Sequence, residues 1–240
     1  NAVIVLSEFS ASQIRDIHGL PTDNVTVIPG GVDCRRFRPA PDRAALRAEL
    51  GLPSGTLLLT VRNLVPRMGL DALIEAMRSV VSERPDCHLV IGGGGMLREA
   101  LQEQVRLLGL EENVRFAGFI PEERLADYYA AADYFVLPTR VLEGFGLVTV
   151  EALSCGTPVL GTPVGGTQEI LRRFDPSFLF SGVEAPDLAD GILRRLRSSE
   201  DYEALRKRCE EFAVSTYGWE VLIPQVEELF QKTVNAHRPS

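Results

Sequence analysis

The stretch Tyr134–Gly161 reads YFVLPTRVLEGFGLVTVEALSCGTPVLG. Tyr134–Leu137 is a short, wholly apolar run and predicts a strand. Gly144 and Gly146 break the loop that follows, Leu147–Ser154 predicts a helix, and Pro158–Gly161 a second strand. That is one βαβ unit, which brings a right-handed crossover and parallel strands. The strands are continuous apolar runs rather than alternating ones, as in a sheet covered by helices on both faces.

The same alternation extends outward in both directions. Leu57–Val61, His88–Ile91, Val114–Ala117 and Phe178–Phe180 are further strand candidates. Asp71–Ser82, Met96–Leu108, Glu122–Ala131, Thr167–Arg172 and Asp187–Arg197 are the helical stretches between and after them. The fold class is α/β, a doubly wound parallel Rossmann-like sheet with its core from about residue 55 to 200.

Two flanks stand outside that core. Ala2–Leu6 predicts a strand, and Ser10-Ala-Ser-Gln13 reads as a capping box opening a short helix. Val25–Ile28 predicts a strand running into Pro29-Gly30-Gly31-Val32-Asp33, a turn-rich linker. Downstream, Asp201–Ser215 and Trp219–Val234 predict two helices. The second is amphipathic, with Trp219, Leu222, Val226, Leu229 and Phe230 at helical spacing. The expected division is 1–40, 41–200 and 201–240.

Composition narrows the function classes. The 240 residues carry a net charge of −8, which disfavours nonspecific nucleic-acid binding. No apolar run approaches the ~20 residues of a membrane-spanning helix. The start, Asn1-Ala-Val-Ile-Val-Leu6, is too short and lacks the basic residues of a signal peptide. It reads as a piece of a longer protein. Cys34, Cys87, Cys155 and Cys209 are scattered, without C-x-x-C, so neither zinc nor a disulfide framework is expected. His18, His88 and His237 are equally dispersed; His88 is expected as a packed core residue.

Ligands of open α/β sheets bind beyond the carboxyl ends of the strands, and three loops qualify. Gly92-Gly93-Gly94-Gly95 follows a strand and lets backbone approach an anion at a helix start. It fails the G-x-G-x-x-G pattern, since Leu97 and Arg98 stand where a third glycine belongs. Glu143-Gly144-Phe145-Gly146-Leu147-Val148 leaves a bare helix N-terminus, suited to a phosphate. Glu151 lies roughly 8 Å along the helix, a phosphate-to-ribose distance, where a carboxylate accepts both hydrogen bonds of a vicinal diol. Glu143, on the other side, is placed for a second polyol such as a sugar. In Val61–Gly69, Arg62 and Arg67 are candidate diphosphate partners. On a regular strand Arg62 and Asn63 face opposite ways, with Arg62 turned away.

These strings, together with Val27-Ile28-Pro29-Gly30-Gly31-Val32-Asp33, Leu64-Val65-Pro66-Arg67-Met68-Gly69 and Cys155-Gly-Thr-Pro-Val159, resemble the C-terminal half of the family 4 (group 1) glycosyltransferases of GT-B fold. The resemblance covers nearly the whole chain, and its most specific element is E-x7-E with E-G-F-G. It implies a retaining transferase using a nucleoside-diphosphate sugar as co-substrate, with no metal; no D-x-D occurs. It implies contact of Glu143 with the donor sugar, as the catalytic group, and of Glu151 with the ribose. Backbone from Gly144 to Val148, with Gly93, Gly94, Arg62, Asn63 and Arg67, would meet the remainder of the donor. The base would lie near Phe119 and Ile120.

Two departures stand out. The family's usual Arg and Lys after the first core strand are Asn63 and Met68 here. The first GT-B domain is represented only by Ala2–His18, and the last helix resembles the family's helix crossing back onto that domain. An N-terminal domain and a sugar or glycolipid acceptor are therefore implied partners, and the isolated chain is expected to self-associate or expose an apolar patch. The implied setting is cytoplasmic, with peripheral association at the inner membrane face left open. UDP, GDP and ADP donors all stay open. A degenerate nucleotide-sugar module without turnover and a sugar-nucleotide epimerase are the alternatives.

Overall fold

The computed structural model describes residues 2–19, 21 and 23–236. His237 lies outside them. The first strands, β1 (Val3–Val5) and β2 (Val25–Val27), pair in parallel in register Val3 with Val25. The crossover between them is helix α1 (Glu8–His18). Ser7, not Ser10, caps it: the Ser7 hydroxyl accepts the Ser10 N–H at 3.0 Å. The expected capping box therefore sits one turn too late, because Ser10 is already inside the first turn.

Helix α2 (Arg43–Glu49) leads into the main sheet. Its strands are β3 (Thr56–Val61), β4 (Cys87–Gly92), β5 (Val114–Gly118), β6 (Tyr134–Leu137) and β7 (Val159–Gly161). They are all parallel and lie in the order β5-β4-β3-β6-β7. The chain winds outward from β3 through β4 to β5, then returns to lay β6 on the other side of β3. That reversal opens a crevice above the carboxyl ends of β3 and β6.

Helices α3 (Leu70–Glu83), α4 (Arg98–Leu107), α5 (Glu122–Ala131), α6 (Leu147–Ser154), α7 (Gly165–Phe174) and α8 (Ala185–Leu196) cover the sheet. Leu57, Leu58, Leu59, Leu89, Val90, Ile91, Phe135 and Val136 are buried on both faces of the strands, which is why these strands lack polar alternation. Helix α6 is itself core, with Val150, Ala152 and Leu153 fully buried. His88 is only half-buried, at a position of β4 that the sheet does not close over. Cys87, Cys155 and Cys209 are buried free thiols and Cys34 is half-buried. Burial pushes the Cys87 and Cys209 thiols up to about 12.

Phe178–Phe180 is not a strand. Pro176–Phe178 forms a 3₁₀ turn capped by the Asp175 carboxylate, which accepts the Ser177 N–H at 2.9 Å. Leu179 makes a single bridge to Gly161. Phe178 and Phe180 are both buried, so their apolar signal came from the core and not from a ladder.

The Pro29–Asp33 segment is tied down and buried at Gly30 and Val32. Val32 donates its N–H to the Tyr217 carbonyl at 2.8 Å, at the end of α9 (Tyr202–Tyr217). Helix α10 (Trp219–Ala236) follows. It buries Leu222 and half-buries Val226 and Leu229. Trp219, Ile223, Phe230 and Val234, on an adjoining face, are exposed. Among the described residues no helix is long and apolar enough to cross a membrane.

Candidate donor site

The crevice is built from three loops. After β3, the strand geometry stops at Val61, so Arg62 escapes the alternation expected of it. Its side chain turns into the crevice, only 7% exposed, and Nη2 reaches both the Thr139 hydroxyl, at 2.8 Å, and the Glu143 carboxylate. Arg62 thus faces the site, contrary to the regular-strand expectation. Thr139 Oγ1 also donates to Glu143 Oε2 at 3.1 Å. The Glu143 side chain is 12% exposed. Leaving so enclosed a carboxylate without hydrogen-bond partners would be costly.

Asn63 is exposed, and Arg67, also exposed, donates through Nη1 to the Leu142 carbonyl at 3.0 Å. Met68 is 5% exposed and belongs to the core. The two positions where the resemblance led to expecting cations are therefore unlike: one is open to solvent and one is closed.

The tetraglycine lies against the Arg62–Leu64 backbone. Arg62 donates to the Gly92 carbonyl and Leu64 to that of Gly94, at 3.0 and 2.9 Å. A Cβ on Gly93 would stand 2.0 Å from the Arg62 carbonyl oxygen, and Gly93 has φ +115. No side chain fits that approach. The Gly93 N–H is taken by the Gly118 carbonyl at 2.6 Å, while the space around Gly94 is open. Helix α4 begins at Arg98, later than the expected Met96.

The third loop holds the bare helix end. Gly146, at φ +90, caps α6, and among the described residues no side chain caps its first turn. A Cβ at Gly146 would stand 2.3 Å from Thr167 Oγ1. The loop is fastened to the start of α7, where Gly166 donates to the Glu143 carbonyl at 2.8 Å. Phe145 buries its ring beside Tyr217 at 5.9 Å. Around it Gly144 and Leu147 are exposed and Val148 is half-buried, while Gly146 is buried. The free N–H groups and the helix dipole make this end attractive to an anion.

Glu151 stands on the next turn of α6, half-buried. Tyr129 donates its hydroxyl to Glu151 Oε2 at 3.1 Å. Burial pushes the Glu151 carboxyl above the ordinary range, while the Tyr129 hydrogen bond and the Arg36 charge pull it down. Arg36 pairs with Glu122 at 2.6 Å. Beyond β5, Phe119 is 82% exposed whereas Ile120 is buried over Gly92. The two expected base neighbours thus diverge: only Phe119 offers a free ring.

Sequence reasoning missed Thr139, Tyr129, Arg36 and Ser7, and read Ser10 only as a helix cap. The Ser7 and Ser10 hydroxyls both donate to the Gly144 carbonyl. Glu169 of α7 accepts the Glu8 and Phe9 N–H groups at 3.0 and 2.7 Å. The N-terminal segment therefore props the Glu143–Gly146 loop from outside the sheet. Among the described residues no group of three or more His, Cys, Asp or Glu could hold a metal ion.

The sheet is doubly wound, with a carboxylate-flanked helix end at its switch point, the place where ligands of open α/β sheets bind. The model for glycosyl transferases group 1 matches residues 42–212, and the chain belongs to that family. It is 34% identical over 226 residues to a D-inositol 3-phosphate glycosyltransferase of Streptomyces scabiei, covering 90% of this chain and 50% of that protein. It is 31% identical over 236 residues to a GDP-mannose-dependent alpha-(1-6)-phosphatidylinositol monomannoside mannosyltransferase of Mycolicibacterium smegmatis, covering 95% and 62%. The chain thus spans about half to three-fifths of the curated relatives it matches. Among solved structures, sucrose-phosphate synthase from Thermosynechococcus elongatus superposes with a TM-score of 0.84 at 30% identity, covering 98% of this chain and 59% of that one. The Anabaena HepE protein in complex with UDP superposes at 0.85 with 25% identity, covering 96% and 64%. The fold is that of the GT-B glycosyltransferases.

Proposed function

We propose that this chain supplies the donor-binding half of a retaining glycosyltransferase, which moves a sugar from a nucleoside-diphosphate sugar to an acceptor hydroxyl without a metal ion. The observation that carries this reading is the placing of Glu143 and Glu151 on either side of the uncapped N-terminus of α6. The backbone of Gly144–Val148 receives the diphosphate, where N–H groups and the helix dipole stabilise charge on the leaving phosphate. Arg62, paired with Glu143, brings a guanidinium to that loop, and Asn63, Gly94 and Arg67 line the same edge. Glu143 contacts the sugar, Glu151 the ribose, and Phe119 the base. The HepE complex with UDP supports a nucleotide in this kind of site, and the mannosyltransferase relative, GDP-dependent by name, keeps GDP open beside UDP and ADP.

The acceptor hydroxyl, on a sugar or glycolipid, would enter from an N-terminal GT-B domain, with residues 1–40 and 201–240 forming the join. A donor of this class fits a cytoplasmic setting, with peripheral association at the inner membrane face left open. A non-catalytic module and an epimerase are the less favoured readings, because the relatives compared are named transferases or synthases. The test is calorimetric titration with UDP, GDP and ADP. Saturable binding of one of them, lost in Glu151→Ala, supports the reading; binding unchanged by that substitution overturns it.

A further inference from the structure

Tyr129 is the most enclosed phenol near the crevice, with no exposed surface. Its ring stands edge-on to Phe135 at 5.1 Å and tilted to Phe37 at 6.0 Å. Its carbonyl accepts the Thr157 hydroxyl at 2.7 Å. Ring and backbone are thus fixed from strand, linker and the end of α6. From this seat the hydroxyl reaches Glu151 Oε2 at 3.1 Å. Among the described residues the other carboxylate oxygen, Oε1, takes no hydrogen bond. A phenol donates one hydrogen, so it claims one oxygen and leaves the second for a ligand.

We propose that Tyr129 is a positioning residue of the donor site: its hydroxyl holds Glu151 so that the unbonded carboxylate oxygen meets the ribose diol. This rests on the donor-site reading above. A side chain on a helix flank has several rotamers, and fixing one in advance removes an ordering cost from binding. The bond also favours the charged carboxylate, the better acceptor for two hydroxyls. Helix α5 ends just beyond Tyr129, so the packing of α5 on α6 is what aims the ribose contact.

The experiment titrates wild-type and Tyr129→Phe chains with UDP, GDP and ADP, and with the 2′,3′-dideoxy form of each. The ring and its contacts survive in Tyr129→Phe. Affinity for the bound ribonucleotide is expected to fall about tenfold, the effect of about 1.4 kcal/mol. Affinity for its dideoxy counterpart should change by less than about twofold on the same scale. An equal loss for both forms, or no loss for either, overturns the inference while leaving the donor site standing. No binding of any nucleotide by the wild-type chain fails the donor-site reading itself, and this one with it. Should Tyr129→Phe not fold, replacement of every tyrosine by 3-fluorotyrosine keeps the rings and alters only the phenols. A ribose-selective change in affinity then supports the role, and its absence overturns it.

Discussion

Arg62 and Glu143 face each other across the crevice, joined directly and through the hydroxyl of Thr139. Arg62 follows the last residue of β3 and Glu143 lies in the loop before α6, so the pair ties the two halves of the doubly wound sheet at their switch point. Breaking a fully buried pair from one side costs about 3–5 kcal/mol, because the surviving charge stays desolvated. With a tenth of the carboxylate still exposed, Arg62→Ala is expected to lose about 2–4 kcal/mol in urea denaturation. The double variant Arg62→Ala/Glu143→Gln should recover much of that loss. Additive losses in the two single variants would show that the pair is not coupled.

Glu151 carries a stability cost along with its proposed role. Its carboxyl is raised by burial in the folded chain, so the native state holds that proton more tightly than the unfolded one. Stability from this group is then greatest below the ordinary carboxylate range, about 4.3, and declines as pH rises through the raised value. Glu151→Gln removes the decline. Thermal scans should show the variant melting above wild type at pH 7, with the gap closing toward about pH 4. A gap that widens at acid pH would contradict this sign.

The two departures from the family pattern should respond differently to repair. Asn63 is exposed, so Asn63→Arg adds a cation at the crevice edge with little effect on stability. It is expected to tighten nucleoside-diphosphate binding by about tenfold, the worth of one charged hydrogen bond at its low end. Met68 sits in the core, and Met68→Lys must bury or extend an ammonium there. A lowered melting temperature for Met68→Lys is the expected result. If Asn63→Arg leaves affinity unchanged, Arg62 already satisfies the phosphates.

Most of the sheet was legible because its strands are buried on both faces and read as unbroken apolar runs. The same cue misled at Phe178 and Phe180, where burial comes from packing around a proline turn. Glu143 and Glu151 were legible because eight residues in one chain segment set their separation. The side chains that hold them were not. Tyr129 lies 22 residues from Glu151, and the Ser7–Gly144 contact spans 137 residues. Such contacts follow from how α5, α6 and the N-terminal helix stack, which no local pattern encodes. Arg62 depended on a smaller matter, the residue at which β3 stops.

The central claim is that the α6 terminus and its two flanking carboxylates form a nucleotide-sugar site. A crystal structure of the chain soaked with UDP, GDP or ADP tests it most directly. The terminal phosphate should rest on the backbone of Gly144–Val148 with the ribose hydroxyls on Glu151. A nucleotide bound elsewhere on the chain, with that helix end left to solvent, would contradict it.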